Sequence, residues 1–317
     1  MKGGGLGGGE KGKYMEVFLE QLINGLTIGS FYGLIALGYS MVYGILKLIN
    51  FAHGDFFTLG SYVGYTVLVF GSAVITAHLG LWGGMIAAML VAAICLAFVG
   101  VIVERAAYRP IYPAGRLPAV VSALGASIFL QNAIMVIWGP RYQAYPASLI
   151  PNVRIQLGDI HITLLQIVIL VMSFLLMGIL YWIIQKTTFG AAIRASALDK
   201  DTASLMGINF NKVIFFIFTL GPALGAITGV MVGMYYRQIS FTMGWNYGLK
   251  AFTATILGGI GNLPGAMFGG LILGVLEMLG AAYISAAWKD VFVFLILILV
   301  LIFRPTGLFG EKMAEKV

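Results

Sequence analysis

The sequence predicts an all-α, polytopic helical membrane protein with interrupted helices and a weak internal repeat. Three observations predict it. Hydrophobic residues make up 60% of the 317 and charged residues only 10%, with a mean hydropathy of +0.96. A soluble domain of this size could not cover itself with so little charge. The apolar residues also fall in runs that reach the roughly 20 residues needed to cross hydrocarbon. Between two of these runs lies residues 186–212, KTTFGAAIRASALDKDTASLMGINFNK, whose clustered charges no bilayer centre would accept.

Composition also excludes some functions. The net charge of +7 could suggest nucleic acid, but the Lys and Arg sit in loops between spans, the pattern of membrane topology. The single Cys95 offers no internal disulfide, and three scattered histidines offer no metal set. No metal site, resident cofactor or catalytic residue is expected.

Residues 1–14 are a glycine-rich, polar extension expected to be disordered. Residues 7–14, GGGEKGKY, stand one residue from a nucleotide-binding loop. Tyr14 takes the place of the Mg-holding Ser or Thr and no strand precedes it, so the match is read as chance. Nothing here is read as a cleaved signal. Residues 15–310 form one membrane domain, and 311–317 a short tail. Within the domain, residues 17–49 are too long for a simple crossing yet short for two. Gly25, Gly29 and Gly33 within them are spaced for close helix packing. Further spans are expected near 56–74, 82–103, 117–138, 162–184, 213–234 and 291–303, with an interrupted stretch at 248–279, giving eight or nine in all. A proline-rich segment at 139–161 is expected on the external side.

Lys and Arg concentrate at 104–116, at 186–212 and in the tail, so all three are expected in the cytoplasm, the C-terminus included. Lys2, Lys11 and Lys13 compete with a single crossing by 17–49, which leaves the side of the N-terminus open. The 186–212 stretch reads as a short alanine-rich helix stopped by Gly207. Composition leaves two roles for it: docking a soluble partner, or covering its own bundle.

Two places share a pattern of apolar helix, polar break and glycine-rich helix. One surrounds Asn50, His53 and Asp55; the other surrounds Gly258, Gly259, Gly261 and Asn262. Paired interruptions point to a translocation path or gate, because broken backbone survives in a membrane only where it lines a cavity or is buried in protein. The competing reading is two ordinary turns, with Asn50 or Asp55 capping the second span and Asn262–Gly265 as a turn. Glu277 stands alone in its span, either facing a wet interior or lying nearer the interface than the span edges imply. No row of acidic groups suited to carrying protons or sodium appears, which weakens a self-sufficient secondary transporter.

Residues 41–62, MVYGILKLINFAHGDFFTLGSY, resemble the signature of LivH-type permeases, membrane subunits of ABC importers for branched-chain amino acids. ERAAYRP at 104–110, IRASALDKDTASLMGIN at 193–209, ILGGIGNLPGA at 256–266 and FRPTGLFG at 303–310 agree in order. The resemblance implies an importer permease domain at 15–310 in a bacterial or archaeal inner or plasma membrane. It implies partners: a second related permease, two cytoplasmic ABC ATPases that bind the ATP, an extracytoplasmic binding protein, and membrane lipid. It also implies that the 186–212 stretch couples to the ATPase through Arg194, Ala195, Asp199, Ala203, Leu205 and Gly207. Branched-chain amino acids are the implied cargo, with urea, amides or other amino acids as alternatives. A channel, a secondary transporter or an intramembrane enzyme are the competing classes; the last would need convergent His, Asp, Ser or Cys inside spans, and few are present.

Overall fold

The first apolar run is one unbroken helix, α1 (Gly7–Leu46), of 40 residues. At 1.5 Å per residue it is about 60 Å long, so residues 17–46 cross once. The computed structural model describes residues 7–151, 153–157 and 160–310. Residues 7–14, expected to be disordered, are therefore helical; residues 1–6 lie outside the described set. Extending an existing helix adds a hydrogen bond per residue without a new nucleus, so the long apolar helix carries the polar arm along with it.

The remaining helices follow in order: α2 (His53–Gly71), α3 (Ala77–Val103), α4 (Arg116–Trp138), α5 (Leu164–Lys186), α6 (Thr188–Leu198), α7 (Lys200–Leu205), α8 (Phe210–Tyr236), α9 (Met243–Gly258), α10 (Leu263–Tyr283) and α11 (Lys289–Phe303). Single π-helical turns at Ser72–Thr76 and Glu104–Tyr108 flank α3. Among the described residues seven helices are long and apolar enough to cross a membrane, and α2 and α9 are not among them. Each is one of the two helices that flank a predicted break, α2 after the first and α9 before the second. With its 16 residues, α9 reaches about 24 Å, short of the ~30 Å hydrocarbon core.

α1 is the axis of the bundle: 94% of its most apolar stretch is buried, against 6% for α11 at the rim. The Gly25, Gly29 and Gly33 stripe meets α10, which answers with Gly270 and Gly274. A Cβ on Gly274 would stand 2.3 Å from Gly29 Cα, and one on Gly29 would stand 2.8 Å from the Gly270 carbonyl oxygen. With no hydrophobic driving force between helices in lipid, such close backbone approach supplies the dispersion contact that holds them. α8 contributes the second buried wall. Pro222 inside it cannot bond back to the Phe218 carbonyl, and that carbonyl lies against Gly100 of α3.

Four short strands gather at one end. β1 (Gln143–Ala144) pairs with β4 (Gln238–Ile239), and β2 (Arg154–Leu157) forms a hairpin with β3 (Ile160–Thr163). The proline-rich segment and the connection after α8 therefore share a face. The start of α1 is there too: Glu20 Oε1 accepts from the His161 backbone N–H at 3.1 Å, and Asn24 Oδ1 accepts from Gln166 Nε2 at 2.8 Å. The opposite end carries both breaks, the π turn after α3, and the α6–α7 arm.

Gly274→Val is expected to lose more than about 3 kcal/mol of stability, since its side chain must displace the α1 backbone. Gly125→Ala, in α4 with open space around it, should change little. Thermal unfolding in detergent measures both.

Candidate functional site: two helix breaks and a polar arm

At the first break α1 ends at Leu46, Lys47 adopts a left-handed φ of 53°, and the chain doubles back before α2 begins at His53. Neither Asn50 nor Asp55 caps α2, contrary to the capping alternative. The N-cap is Ala52, with no side-chain bond, because the turn is tied instead by backbone bonds from His53 N–H to Asn50 O and Phe56 N–H to Ala52 O. This frees both side chains for other helices. Asn50 Oδ1 accepts from the Tyr108 hydroxyl at 2.5 Å, and Asp55 Oδ2 accepts from Ser127 Oγ of α4 at 2.5 Å. Tyr108 belongs to the ERAAYRP run, whose Glu104 is fully buried and takes a bidentate pair from Arg109 at 3.0 and 3.1 Å. His53 is also fully buried. Its ring lies against Gly38 of α1 and Tyr39, and neither ring nitrogen has a hydrogen-bond partner among the described residues.

At the second break α9 ends at Gly258 and Gly259 takes φ 107°, a region costly for any residue with a Cβ. Asn262 then caps α10, its Oδ1 accepting from Gly265 N–H at 2.9 Å, with Pro264 in the first turn. The turn reading holds here in its local geometry. The carbonyls of Leu257 and Gly258 are answered from far away: Leu308 N–H and Phe309 N–H donate to them at 2.8 and 3.1 Å. Asn262 Nδ2 closes the strap by donating to Phe309 O at 2.8 Å. The FRPTGLFG run is thus a backbone clip on the second break, and the ERAAYRP run is a side-chain clip on the first.

The two breaks are neighbours. A Cβ on Gly261 would sit 3.7 Å from Gly44 Cα near the end of α1. A shallow cleft of about 20 Å³ opens beside the first break, lined by Tyr39, Ile49, Phe51 and Asp55 on one side and Trp245, Leu249 and Phe252 of α9 on the other. A smaller one, about 10 Å³, continues past Tyr43 and Thr255 to Ile260 of the second break. Of the predicted path residues only Asp55 lines the larger cleft. Asn50, His53, Gly258 and Gly259 are buried in packing, and Gly261 and Asn262 sit at the surface of the second break.

The polar arm is two helices, not one. Asp199, at φ −152°, leaves helical geometry and caps α7: its Oδ1 accepts from the N–H groups of Asp201 and Thr202 at 2.9 and 3.1 Å. α7 closes with Gly207 at φ 85°, where Gly207 N–H bonds Ser204 O and Ile208 N–H bonds Ala203 O. That pair of bonds is a Schellman ending. Arg194 bonds the Ile184 carbonyl of α5, and Thr187 caps α6, so the arm leaves α5 at a fixed angle. Ala203 is buried and Ala195 half-buried. At the tip Leu198, Leu205 and Met206 are 89%, 88% and 80% exposed. Among the six residues assigned to coupling, Leu205 is the bare apolar one. Leu198 and Met206 join it, and their exposure follows from the corner at Asp199.

Sequence reasoning missed Lys250. Its Nζ lies 2.7 Å from Glu277 Oε1 and 2.7 Å from Asp290 Oδ1, while Glu277 Oε2 accepts from the Tyr32 hydroxyl at 2.8 Å. Glu277 is buried and paired rather than facing a wet interior. One lone Lys and one lone Glu in adjacent apolar segments was the available signal.

The family profile described as branched-chain amino acid transport system, permease component, matches residues 21–301. The high-affinity branched-chain amino acid transport permease protein BraD of Pseudomonas aeruginosa is 44% identical over 306 residues, covering 95% of this chain and 98% of its own. LivH of Escherichia coli K12 is 45% identical over 306 residues with the same coverage. The solved structure of a metal-chelate type ABC transporter, facing inward, aligns with TM-score 0.49 at 15% identity, over 95% of this chain and 90% of that one.

Lys250→Met should cost roughly 3–5 kcal/mol, because it strands the buried Glu277 carboxylate, and Glu277→Leu should cost less, because Lys250 keeps Asp290. The double variant should cost markedly less than the sum, as a double-mutant cycle of denaturant unfolding would read. This multi-pass membrane protein belongs to the family of permease components of branched-chain amino acid transport systems.

Proposed function

We propose that the chain is the permease subunit of an ATP-driven importer for branched-chain, hydrophobic amino acids. ATP is hydrolysed by two separate cytoplasmic ATPases, a second related permease completes the membrane unit, and an extracytoplasmic binding protein delivers cargo. The named relatives support the cargo class. The observation that carries the mechanism is the α6–α7 arm: two short capped helices, rigidly fixed to α5, presenting three bare apolar side chains at the end where both breaks lie. Exposed apolar tips in water invite burial against a partner, and an arm fixed at its root transmits the partner's motion to the bundle.

In this reading the break end faces the cytoplasm. It bears Lys47, Arg105, Arg109, Arg116, Lys186, Arg194, Lys200, Lys212 and Arg304, against Lys11, Lys13, Arg141, Arg154, Arg237 and Lys289 at the strand end. The N-terminal end of α1 then lies outside and the C-terminus inside. Movement of the arm shifts α5 and α8. The neighbouring breaks, Asn50, His53 and Asp55 on one side and Gly258, Gly259, Gly261 and Asn262 on the other, form the hinge region beside the path. Affinity is left to the binding protein, so a mostly apolar route suffices for Leu, Ile or Val.

Leu205→Asp in the reconstituted assembly should cut ATP-dependent leucine uptake by about tenfold or more, an interface hot-spot effect, with the variant's thermal stability unchanged. Uptake at the unmodified level would sink the docking role of the arm. A single cysteine introduced at Leu205 should react with an impermeant maleimide from the cytoplasmic side only, and one at Gln156 in β2 from the external side only.

A further inference from the structure

Three helices meet where the polar arm leaves the bundle: the end of α5, α6, and the start of α8. Together they contain no Asp or Glu, and each brings one exposed cation to the junction, Lys186, Arg194 and Lys212. Packing draws the three together. Arg194 reaches back to the Ile184 carbonyl in the last turn of α5, which Lys186 ends. The Phe189 ring of α6 stacks on the Phe216 ring of α8 with centroids 4.5 Å apart, and Lys212 precedes Phe216 by one turn on the same face. The acids nearest in sequence are Asp199 and Asp201, at the start of α7. The Asp199 carboxylate is taken up by the cap of α7, where the N–H groups of Asp201 and Thr202 and the Thr202 hydroxyl donate to it. Among the described residues none of the three cations is in an ion pair, whereas Arg109 pairs with Glu104 and Lys200 lies over the Phe210 ring at 4.5 Å.

Like charges gathered without a counter-ion repel one another, and a visiting anion relieves that repulsion. The surroundings select the anion. Tyr181 and Trp182 near the end of α5, Phe189 on α6 and Phe215 on α8 all expose their rings beside the cations. Tyr and Trp settle at the headgroup level of a bilayer, and Lys and Arg stems reach from there to the phosphates. Gly178, one turn deeper than Trp182, has open space where a side chain would stand, a notch for an acyl chain. A soluble anion or an acidic protein surface would use the charge alone and leave the rings and the notch idle.

We propose that this junction is a binding seat for an anionic phospholipid. The lipid phosphate lies among Lys186, Arg194 and Lys212, and one acyl chain runs along α5 over Gly178. The seat requires only that these helices lie in a bilayer, and it depends on neither the cargo nor the partners of the importer reading.

The test is native mass spectrometry of the full-length protein in detergent, titrated with phosphatidylglycerol and with phosphatidylcholine of the same acyl chains. The first phosphatidylglycerol is expected to bind roughly tenfold more tightly than the first phosphatidylcholine. Lys186→Gln combined with Lys212→Gln should remove most of that preference. Arg154→Gln combined with Lys289→Gln, an equal loss of charge at the strand end, should leave it in place. All four side chains are exposed, so thermal unfolding should show both double variants folded. Equal affinity for the two lipids in the unaltered protein overturns the seat and leaves its cations to an acidic protein surface. Undiminished preference in the Lys186→Gln, Lys212→Gln variant also overturns it, as does an equal loss in both double variants, the mark of attraction to net charge alone. Glycerol phosphate at millimolar concentration should not displace the lipid; displacement overturns the lipid assignment in favour of a soluble anion. No ATPase, binding protein or amino acid is present in the experiment. Its failure therefore leaves the importer reading standing, and loss of ATP-dependent uptake says nothing against the seat.

Discussion

A helix interrupted inside a bundle that lies in lipid releases backbone donors and acceptors that water cannot reach, and each has to be met by protein. Two interruptions side by side make this the governing constraint of the molecule. The first is met mostly within itself, by the bonds of the 50–56 turn, with Tyr108 holding the Asn50 side chain from outside. The second cannot meet its own needs, because Gly259 turns the chain away from the α9 axis. Backbone from residues 308 and 309 supplies the missing donors. Much else at that end serves this purpose: the buried Glu104 with Arg109 steadies the turn that carries Tyr108, and Asn262 both caps α10 and holds the clip.

The other half of the bundle is held by different means. α1 and α10 touch backbone to backbone through their glycine stripes, and Lys250 with Glu277, Asp290 and Tyr32 joins α9, α10, α11 and α1 near the strand end. The α9–α10 hairpin is therefore fastened at both ends, ionically at one and by backbone at the other. Between those fastenings α9 stays short, and its Trp245, Leu249 and Phe252 line the cleft, Phe252 with its ring 6.1 Å from that of Tyr39 on α1. α2 is similar: it begins deep, beside Gly38 and Gly221, and leaves Asp55 at the cleft wall.

Much of this was legible in the residues. Hydrophobic run length placed six of the seven candidate crossings to within about five residues, because transfer to lipid is a local property of composition, but it also counted 56–74 as a span, and α2 is not among the seven. The Gly25, Gly29 and Gly33 spacing announced close packing, and Gly207 announced a helix end, since both are written in a few adjacent positions. The two-helix form of the arm was also readable: Asp199 followed by Asp201 and Thr202 is a capping pattern directly after Leu198. The partners at the breaks were not readable. Leu308 with Leu257, Tyr108 with Asn50, Ser127 with Asp55 and Lys250 with Glu277 are separated by 27 to 72 residues, and which of them meet is decided by how the helices pack. Local reasoning also offered Asn50 or Asp55 as a cap, a role that a doubled-back chain with its own turn bonds had no need to fill.

The clip formed by residues 304–310 has a temporal side. Leu257 and Gly258 leave the ribosome some 50 residues before the segment that binds their carbonyls, an interval on the order of seconds at ordinary synthesis rates. During that interval the end of α9 has lost its helical continuation and has not yet gained its final donors. Nascent chains must therefore shelter it with water, lipid headgroups or an insertion factor, and truncation shortly before residue 308 would leave the sheltered state permanent.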